Sequence, residues 1–539
     1  MCLYNIRLIN TDETKLKLNS SLNAKLQINQ IKYTNLRFGH RVTEVSIEID
    51  DSLKDNEILL AESLVDKLKL PVECRYNILV KNNELIFGPF IGIFLGEKET
   101  VVLKKLRFLN SYILRYQEIN GVVFAFTLEN INKADLLVEG YYYNPKLDTW
   151  EKATLPFPAA IYKRSTFTKE WREYFGIFYG NKLFNYNTFD KWNMYERLQQ
   201  FPEALDLLPR TVLYQDSENL VDFLNEWGNI YIKPINGKKG LGIFNVLKED
   251  NKYCVKTREK EANVQWDFLN EDELLTFMRS KLETKGITYI MQNTIDIHIN
   301  QKVLDFRVGM DKDKHGNWQN IMLVSRISGE NSIVSNRAIS GGEIQRVSDV
   351  LKNIYGYEEE KVKFYERELV RNAKLVSEFL ERTGLLIGKL AFDFAIDTNG
   401  RIWIIEINSR YPDDSLANKL GDKDVYFDIH HSNIMYTKFL TGFEKASTDF
   451  EVVPIERVPE PKNYKLIIAI PVKERKNYIN NIRQELQKIG YPEKVSYNTD
   501  LKKVEIEFYG TRMELDRFIE NIKFGVEHRQ KSIISVKEV

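Results

Sequence analysis

A chain of 539 residues is too long for one compact core and, at ~150 residues per domain, reads as three or four domains. Its 77 basic and 77 acidic residues cancel to a formal charge of zero, which removes the electrostatic case for a nucleic-acid partner. Cys2, Cys74 and Cys254 form neither a disulfide framework nor a zinc spacing, no run approaches the ~18 apolar residues of a membrane span, and Met1-Cys2-Leu3-Tyr4-Asn5 lacks a signal-peptide pattern, so a cytoplasmic chain without membrane attachment is expected.

Residues 1–85 alternate short strand-like stretches, such as Val45-Ser46-Ile47-Glu48-Ile49, with polar turns and read as a small β-rich domain. From Leu85 to Leu95 an apolar run punctuated by glycines predicts a buried strand. Helical and strand-like pieces alternate beyond it, so residues 86–180 read as an α/β unit.

Between Ile230 and Ile243 a strand ending in Lys233 runs into a loop containing Gly237, Lys238, Lys239, Gly240 and Gly242. Bare backbone amides and cationic side chains in such a loop suit a polyphosphate. A glycine-rich hairpin tip carrying lysines for solubility reads much the same. The loop is not a Walker A motif, since Ile243 stands where lysine is required, nor is it GxGxxG.

The most informative segment runs from Leu390 to Asn408, two apolar stretches around Asn399-Gly400. Asn-Gly predicts a two-residue type I′ turn with positive φ at both positions. With those residues as the loop, Thr398 faces Arg401 and paired positions sum to 799. Phe392, Phe394 and Ile396 then fall opposite Ile407, Ile405 and Trp403, an apolar face for the core. On the other face Asp393 falls opposite Glu406, flanked by Ala391, Ala395, Ile402 and Ile404. Opposed Cβ atoms lie ~4.5–5.5 Å apart, where two carboxylates repel unless a cation sits between them. Magnesium is the economical cation, with Asn408 supplying a third hard oxygen from the same face. A solvated polar face is the alternative, disfavoured by the apolar flanks.

Further on, His430-His431 fall in a helical region where structural roles are expected. Residues 445–462, with Pro454, Pro459 and Pro461 among charges, read as a linker. Residues 463–539 read as strand 466–472, helix 478–489, strands 494–497 and 504–509, helix 514–524 and strand 532–536. That is the ferredoxin-like βαββαβ order, for which binding a partner and completing a homo-oligomer are both open roles.

The strand lysine, the glycine-rich loop and Asp393…Glu406-x-Asn408, with a spacing of thirteen from Asp393 to Glu406 and Pro412 following, resemble the ATP-grasp ligases, among them D-alanine ligase and bacterial glutathione synthetase. An ordered set is most similar to the YheC/YheD group of endospore coat-associated ATP-grasp proteins. It comprises Gly88-Pro89-Phe90-Ile91-Gly92-Ile93, Phe184-Asn185, Asp190-Lys191-Trp192, Leu208-Pro209-Arg210-Thr211, Lys233-Pro234, Asp305-Phe306-Arg307, Gly341-Gly342 and Ile405-Glu406-Ile407-Asn408. The resemblance implies an α/β and α+β multidomain chain with an ATP-grasp domain at 181–444, a pre-ATP-grasp unit at 86–180 before it and the ferredoxin-like segment after it. That last segment departs from the group's pattern.

The resemblance also implies roles. Lys191 and Lys233 contact nucleotide phosphates beneath a flap carrying Gly237, Lys238, Gly240 and Gly242. Met291-Gln292-Asn293-Thr294-Ile295 is the hinge that reads adenine, through Gln292, Asn293 and Ile295. Asp305 lies near the ribose or metal and Arg307 on the transferred phosphate, with a buried Asp/Arg structural pair as the competing reading. Asn336, in the Ser335-to-Gly342 loop, lies beside the acyl-acceptor site, with a tight surface turn as the alternative. Asp393, Glu406 and Asn408 hold Mg2+. The activity implied is ATP-dependent carboxylate–amine ligation through an acyl phosphate, releasing ADP and phosphate. Its partners are amino-acid, peptide or protein carboxylates and amines, with spore-coat proteins and a spore-associated location also implied. The rivals are a kinase of a small-molecule hydroxyl and a non-enzymatic spore-coat assembly protein.

Overall fold

Seven short strands, from Tyr4–Ile9 to Glu84–Gly88, close into a barrel because their period-two pattern turns Leu16, Leu18, Leu36, Phe38, Leu85 and Phe87 inward. The computed structural model describes residues 3–11, 13–28, 31–186, 188–237, 241–250, 252–259, 262–283, 286–299, 302–327, 343–410, 415–444, 462–469, 495–498, 503–510 and 534–538. They fall into two compact units, Met1–Ser447 and Thr448–Val539.

The apolar run expected to be one strand is two. Glu84–Gly88 completes the barrel, and Phe90–Phe94 begins a separate five-stranded sheet. Pro89 stands between them and has no amide hydrogen with which to continue a ladder. In the second sheet Phe90–Phe94 lies between the parallel strands Val122–Asn132 and Ala160–Lys163 and is buried throughout, the setting that an unbroken apolar run suits. Helices Glu99–Ile113 and Lys423–Leu440 share a core with this sheet. His430 joins them, with Nδ1 2.6 Å from Ser111 Oγ and its ring stacked on Tyr112, while His431 Nε2 lies 3.2 Å from Glu118. Both histidines are structural.

Two further six-stranded sheets follow, each with its own core. The first runs Thr211–Leu213, Tyr289–Asn293, Asn229–Pro234, Phe244–Glu249, Lys252–Glu259, Ala262–Phe268, antiparallel throughout and backed by helices Ser217–Trp227 and Glu271–Leu282. The second runs Glu343–Gln345, Trp318–Ile327, Lys302–Lys312, Lys389–Ile396, Ile402–Asn408, with His298–Ile299 added beside Lys302–Lys312. The 24-residue helix Glu359–Arg382 packs on it, burying Val362, Leu369, Ala373, Val376 and Leu380 at helical spacing.

The last two strands of that sheet are the expected carboxylate hairpin, with two departures that cancel. The loop has three residues rather than two, since Asp397 and Arg401 close it and Gly400 alone has positive φ, at +82°. The Asp397 carboxylate accepts from the Asn399 and Arg401 amides and fixes that turn. The pairing sum therefore drops by one near the loop, placing Phe394 opposite Ile404 and Ile396 opposite Ile402. A bulge between Asp393 and Phe394 restores the register, so Asp393 faces Glu406 and Phe392 faces Ile407. Ile402 and Ile404 consequently turn to the core face, and Trp403 takes the place opposite Ala395.

In the second unit the strands Lys462–Ala469, Val495–Asn498, Lys503–Gly510 and Ile534–Glu538 form an antiparallel sheet in the spatial order second, third, first, fourth. The first begins four residues before its expected start. The two helices expected there lie outside the described residues, as does the 445–461 stretch.

Candidate active site

The two sheets meet at a seam where the strand ending in Lys233 approaches the carboxylate hairpin. Helix Lys191–Leu198 bridges them, its start fixed by Asp190 capping the Asn193 amide and by the Lys191 amide donating to Ile235 O at 3.2 Å. Lys191 Nζ donates to Glu406 Oε1 at 2.9 Å and to Gly237 O at 3.3 Å. Lys233 Nζ donates to Gln292 Oε1 at 2.7 Å, and Gln292 Nε2 donates to Thr211 Oγ1 at 2.8 Å. Burial and the adjacent Lys191 ammonium push the Lys233 pKa down to about 8, against the pull of Glu406. A lysine held there by a neutral amide is poised to receive an anion.

Across the seam the charges are buried and paired. Arg307 Nε donates to Asp393 Oδ1 and its Nη2 to Oδ2 at 3.0 Å. Arg326, facing Asp305 on the neighbouring strand, grips that carboxylate at 2.6 and 2.7 Å and reaches Asp393 Oδ2 at 2.8 Å. Burial opposes ionisation of Asp393, yet Arg307 and Arg326 hold its pKa below the ordinary carboxylate value. Asn408 Nδ2 stands 3.5 Å from Asp393 Oδ2. The expected buried Asp/Arg pairing is thus present with exchanged partners: Asp305 pairs with Arg326, and Arg307 with Asp393. Asp305, expected near the ribose or metal, has both its oxygens bonded by Arg326.

Arg326 was not singled out by sequence, since its only signal is its cross-strand position opposite Asp305. Thr211 and Asn185 stood in recognised motifs without a role, and the structure supplies one for each. Asn185 Oδ1 accepts from the Gly388 and Lys389 amides, and its Nδ2 donates to Lys389 O and Ser409 O, tying the chain before Lys191 to the base of the hairpin.

At the other end of the seam the Asn293 amide donates to Arg210 O and the Thr294 amide to Asn229 O. Asp296 O accepts from the Thr398 amide at the hairpin tip. Gln292 lies between two partner strands, so it offers the seam its side chain rather than a free backbone edge. Ile295 follows, half-buried, and Gly242, in the turn two residues before the strand Phe244–Glu249, has φ +73°. Lys238, Gly240 and Asn336 lie outside the described residues.

The donor set tests well against magnesium. Asp393 and Glu406 are directly opposed, Asn408 turns its amide nitrogen toward Asp393, and a hard cation completed by phosphate oxygens needs only one or two protein carboxylates. Among the described residues no group of three His, Cys, Asp or Glu side chains is placed to hold a metal.

A lysine-bearing antiparallel sheet facing a carboxylate-bearing sheet across a cationic seam defines the ATP-grasp class. Residues 180–440 match the family described as YheC/D-like ATP-grasp. The chain is 28% identical over 415 residues to the endospore coat-associated protein YheD of Bacillus subtilis (strain 168), spanning 74% of this chain and 88% of that protein. It is 24% identical over 303 residues to YheC of the same organism, spanning 53% and 79%. A 51-residue stretch is 35% identical to glutathione synthetase of Agrobacterium fabrum, spanning 10% and 16%. Among the described residues no helix is long and apolar enough to cross a membrane.

Proposed function

We propose that the chain binds Mg-ATP in this seam and transfers the γ-phosphoryl group to a substrate carboxylate, the acyl phosphate then being attacked by an amine to give an amide, ADP and phosphate. The observation that carries the reading is the convergence of Lys191, Lys233 and Arg307 on the opposed pair Asp393 and Glu406. Phosphoryl transfer asks a protein mainly for alignment and charge neutralisation, which this arrangement suits without a nucleophilic side chain.

In this reading Asp393, Glu406 and Asn408 hold magnesium, which when bound neutralises phosphate charge. Lys191 and Lys233 bind the polyphosphate, Arg307 meets the transferred group, and Gly237 and Gly242 flank the covering loop that includes Lys238 and Gly240. The backbone around Asn293 and Ile295 borders adenine. Gln292 and Thr211 orient Lys233, and Asn336 stands by the acceptor. The second unit is a ferredoxin-like domain joined by a linker. YheD and YheC are named endospore coat-associated proteins, and the reading takes a peptide or protein of the spore coat as the acceptor of amino-acid addition.

The test is to supply Mg-ATP, pooled amino acids and hydroxylamine and to measure ADP, phosphate and hydroxamate. Hydroxamate forms from an acyl phosphate, and its formation should fall ~10²- to 10³-fold in Glu406→Gln. ADP release without hydroxamate points instead to phosphorylation of a hydroxyl, and absence of ATP binding overturns the reading.

A further inference from the structure

Both hairpin carboxylates already carry organic counter-ions. Lys191 Nζ lies 2.9 Å from Glu406 Oε1, and Arg307 spans both oxygens of Asp393. Arg326 also touches Asp393, at 2.8 Å, but two bonds of 2.6 and 2.7 Å anchor it on Asp305. The cations therefore differ in what would release them. If Asp393 turned to another cation, Arg326 would remain neutralised by Asp305. Among the described residues the acid bonded by Arg307 is Asp393, and the acid bonded by Lys191 is Glu406.

A divalent cation arriving alone would have to displace both. Arg307 is 6% exposed, so displacement without a new acid leaves a guanidinium buried and unpaired, a costly state. A polyphosphate bound at Lys233 removes this obstacle, because its oxygens replace the carboxylates as partners of Lys191 and Arg307. We infer that Lys191 and Arg307 are exchangeable counter-ions of Glu406 and Asp393, that Arg326 is the fixed one, and that a divalent cation enters the seam only together with a polyphosphate. This rests on the reading of the seam as a Mg-ATP site and adds a mode of regulation: the metal-free chain is charge-balanced and does not collect metal.

The test uses Mn2+ as probe, with free Mn2+ followed by electron paramagnetic resonance during titration of the full chain. The wild type is compared with Lys191→Met and with Lys191→Met/Glu406→Gln, and ADP binding is measured separately by calorimetry. Lys191 is one-fifth exposed at the first position of its helix, and thermal melts verify folding; Lys191→Gln replaces the methionine variant if the latter does not fold. Without nucleotide, Lys191→Met should bind Mn2+ about tenfold more tightly than the wild type, the double variant should lose that gain, and ADP should raise wild-type Mn2+ affinity by a comparable factor. Equal nucleotide-free Mn2+ affinity in wild type and Lys191→Met, with ADP still bound, overturns the exchange and leaves the Mg-ATP reading intact. Failure of the wild type to bind ADP with or without Mn2+ overturns both.

Discussion

Arg307, Arg326, Asp305 and Asp393 lie almost wholly buried in the hairpin sheet, each against an opposite charge, whereas Lys233 on the facing sheet is half-buried against the neutral amide of Gln292. The first wall is balanced before any ligand arrives, its charges paired through charged hydrogen bonds. The second is left with positive charge that burial and Lys191 both disfavour. In the free chain one wall has its charges spent on one another while the other supplies unspent attraction for an anion, so loss of Arg326 from the first should damage folding and substitutions on the second should damage ligand affinity.

The largest expected effect tests the balanced wall. Arg326→Met leaves buried Asp305 and Asp393 short of a cation and should cost ~3–5 kcal/mol of stability, measured by urea unfolding. A loss below about 1 kcal/mol would show that the lattice is solvated and break the contrast. A control outside the seam comes next. The half-buried barrel residue His40 packs on Phe178 and Tyr179, has no hydrogen-bond partner for Nε2 among the described residues, and has its pKa pushed by burial down to about 4. The unfolded chain takes up that proton near 6.5, so the folded state loses up to ~3 kcal/mol as pH falls from 6.5 to 4. His40→Phe should flatten this dependence relative to the wild type without changing nucleotide binding at pH 7.

The receptive wall predicts smaller shifts in affinity. Lys233 titrates at about 8 in the free chain, and polyphosphate favours its charged form. ADP affinity measured by calorimetry should therefore weaken as pH rises through 8, by about tenfold at pH 9.5, and Lys233→Met should be weaker throughout and lack that inflection. Gln292→Leu deprives Lys233 of its acceptor and Thr211 of its donor and should weaken ADP binding by a few-fold, about 1 kcal/mol, with an unchanged urea midpoint. A destabilised but normally binding Gln292→Leu protein would place Gln292 in the structural class and erase the contrast.

The sequence by itself determined the pairing that matters most. Alternation of apolar residues on either side of Asn399-Gly400 brought Asp393 opposite Glu406 because side chains repeat every two residues along a strand. The ordered short motifs were sufficient to point to the ATP-grasp class. Tertiary structure decided the rest. The three-residue loop and the compensating bulge are invisible in the alternation, since each shifts the register by one and together they restore it at Asp393. The partner of Asp305 was undecidable from Asp-x-Arg spacing, because the strand that delivers Arg326 is chosen by sheet order rather than by nearness in sequence. The break at Pro89 has the same origin: apolarity marked the whole run for burial, but only the packing of barrel and sheet divided it between two cores. Local pattern sets which side chains share a face only where no loop or bulge shifts the register, as it did for Ile402 and Ile404, whereas the charges that neutralise one another are set by contacts between strands far apart in the chain.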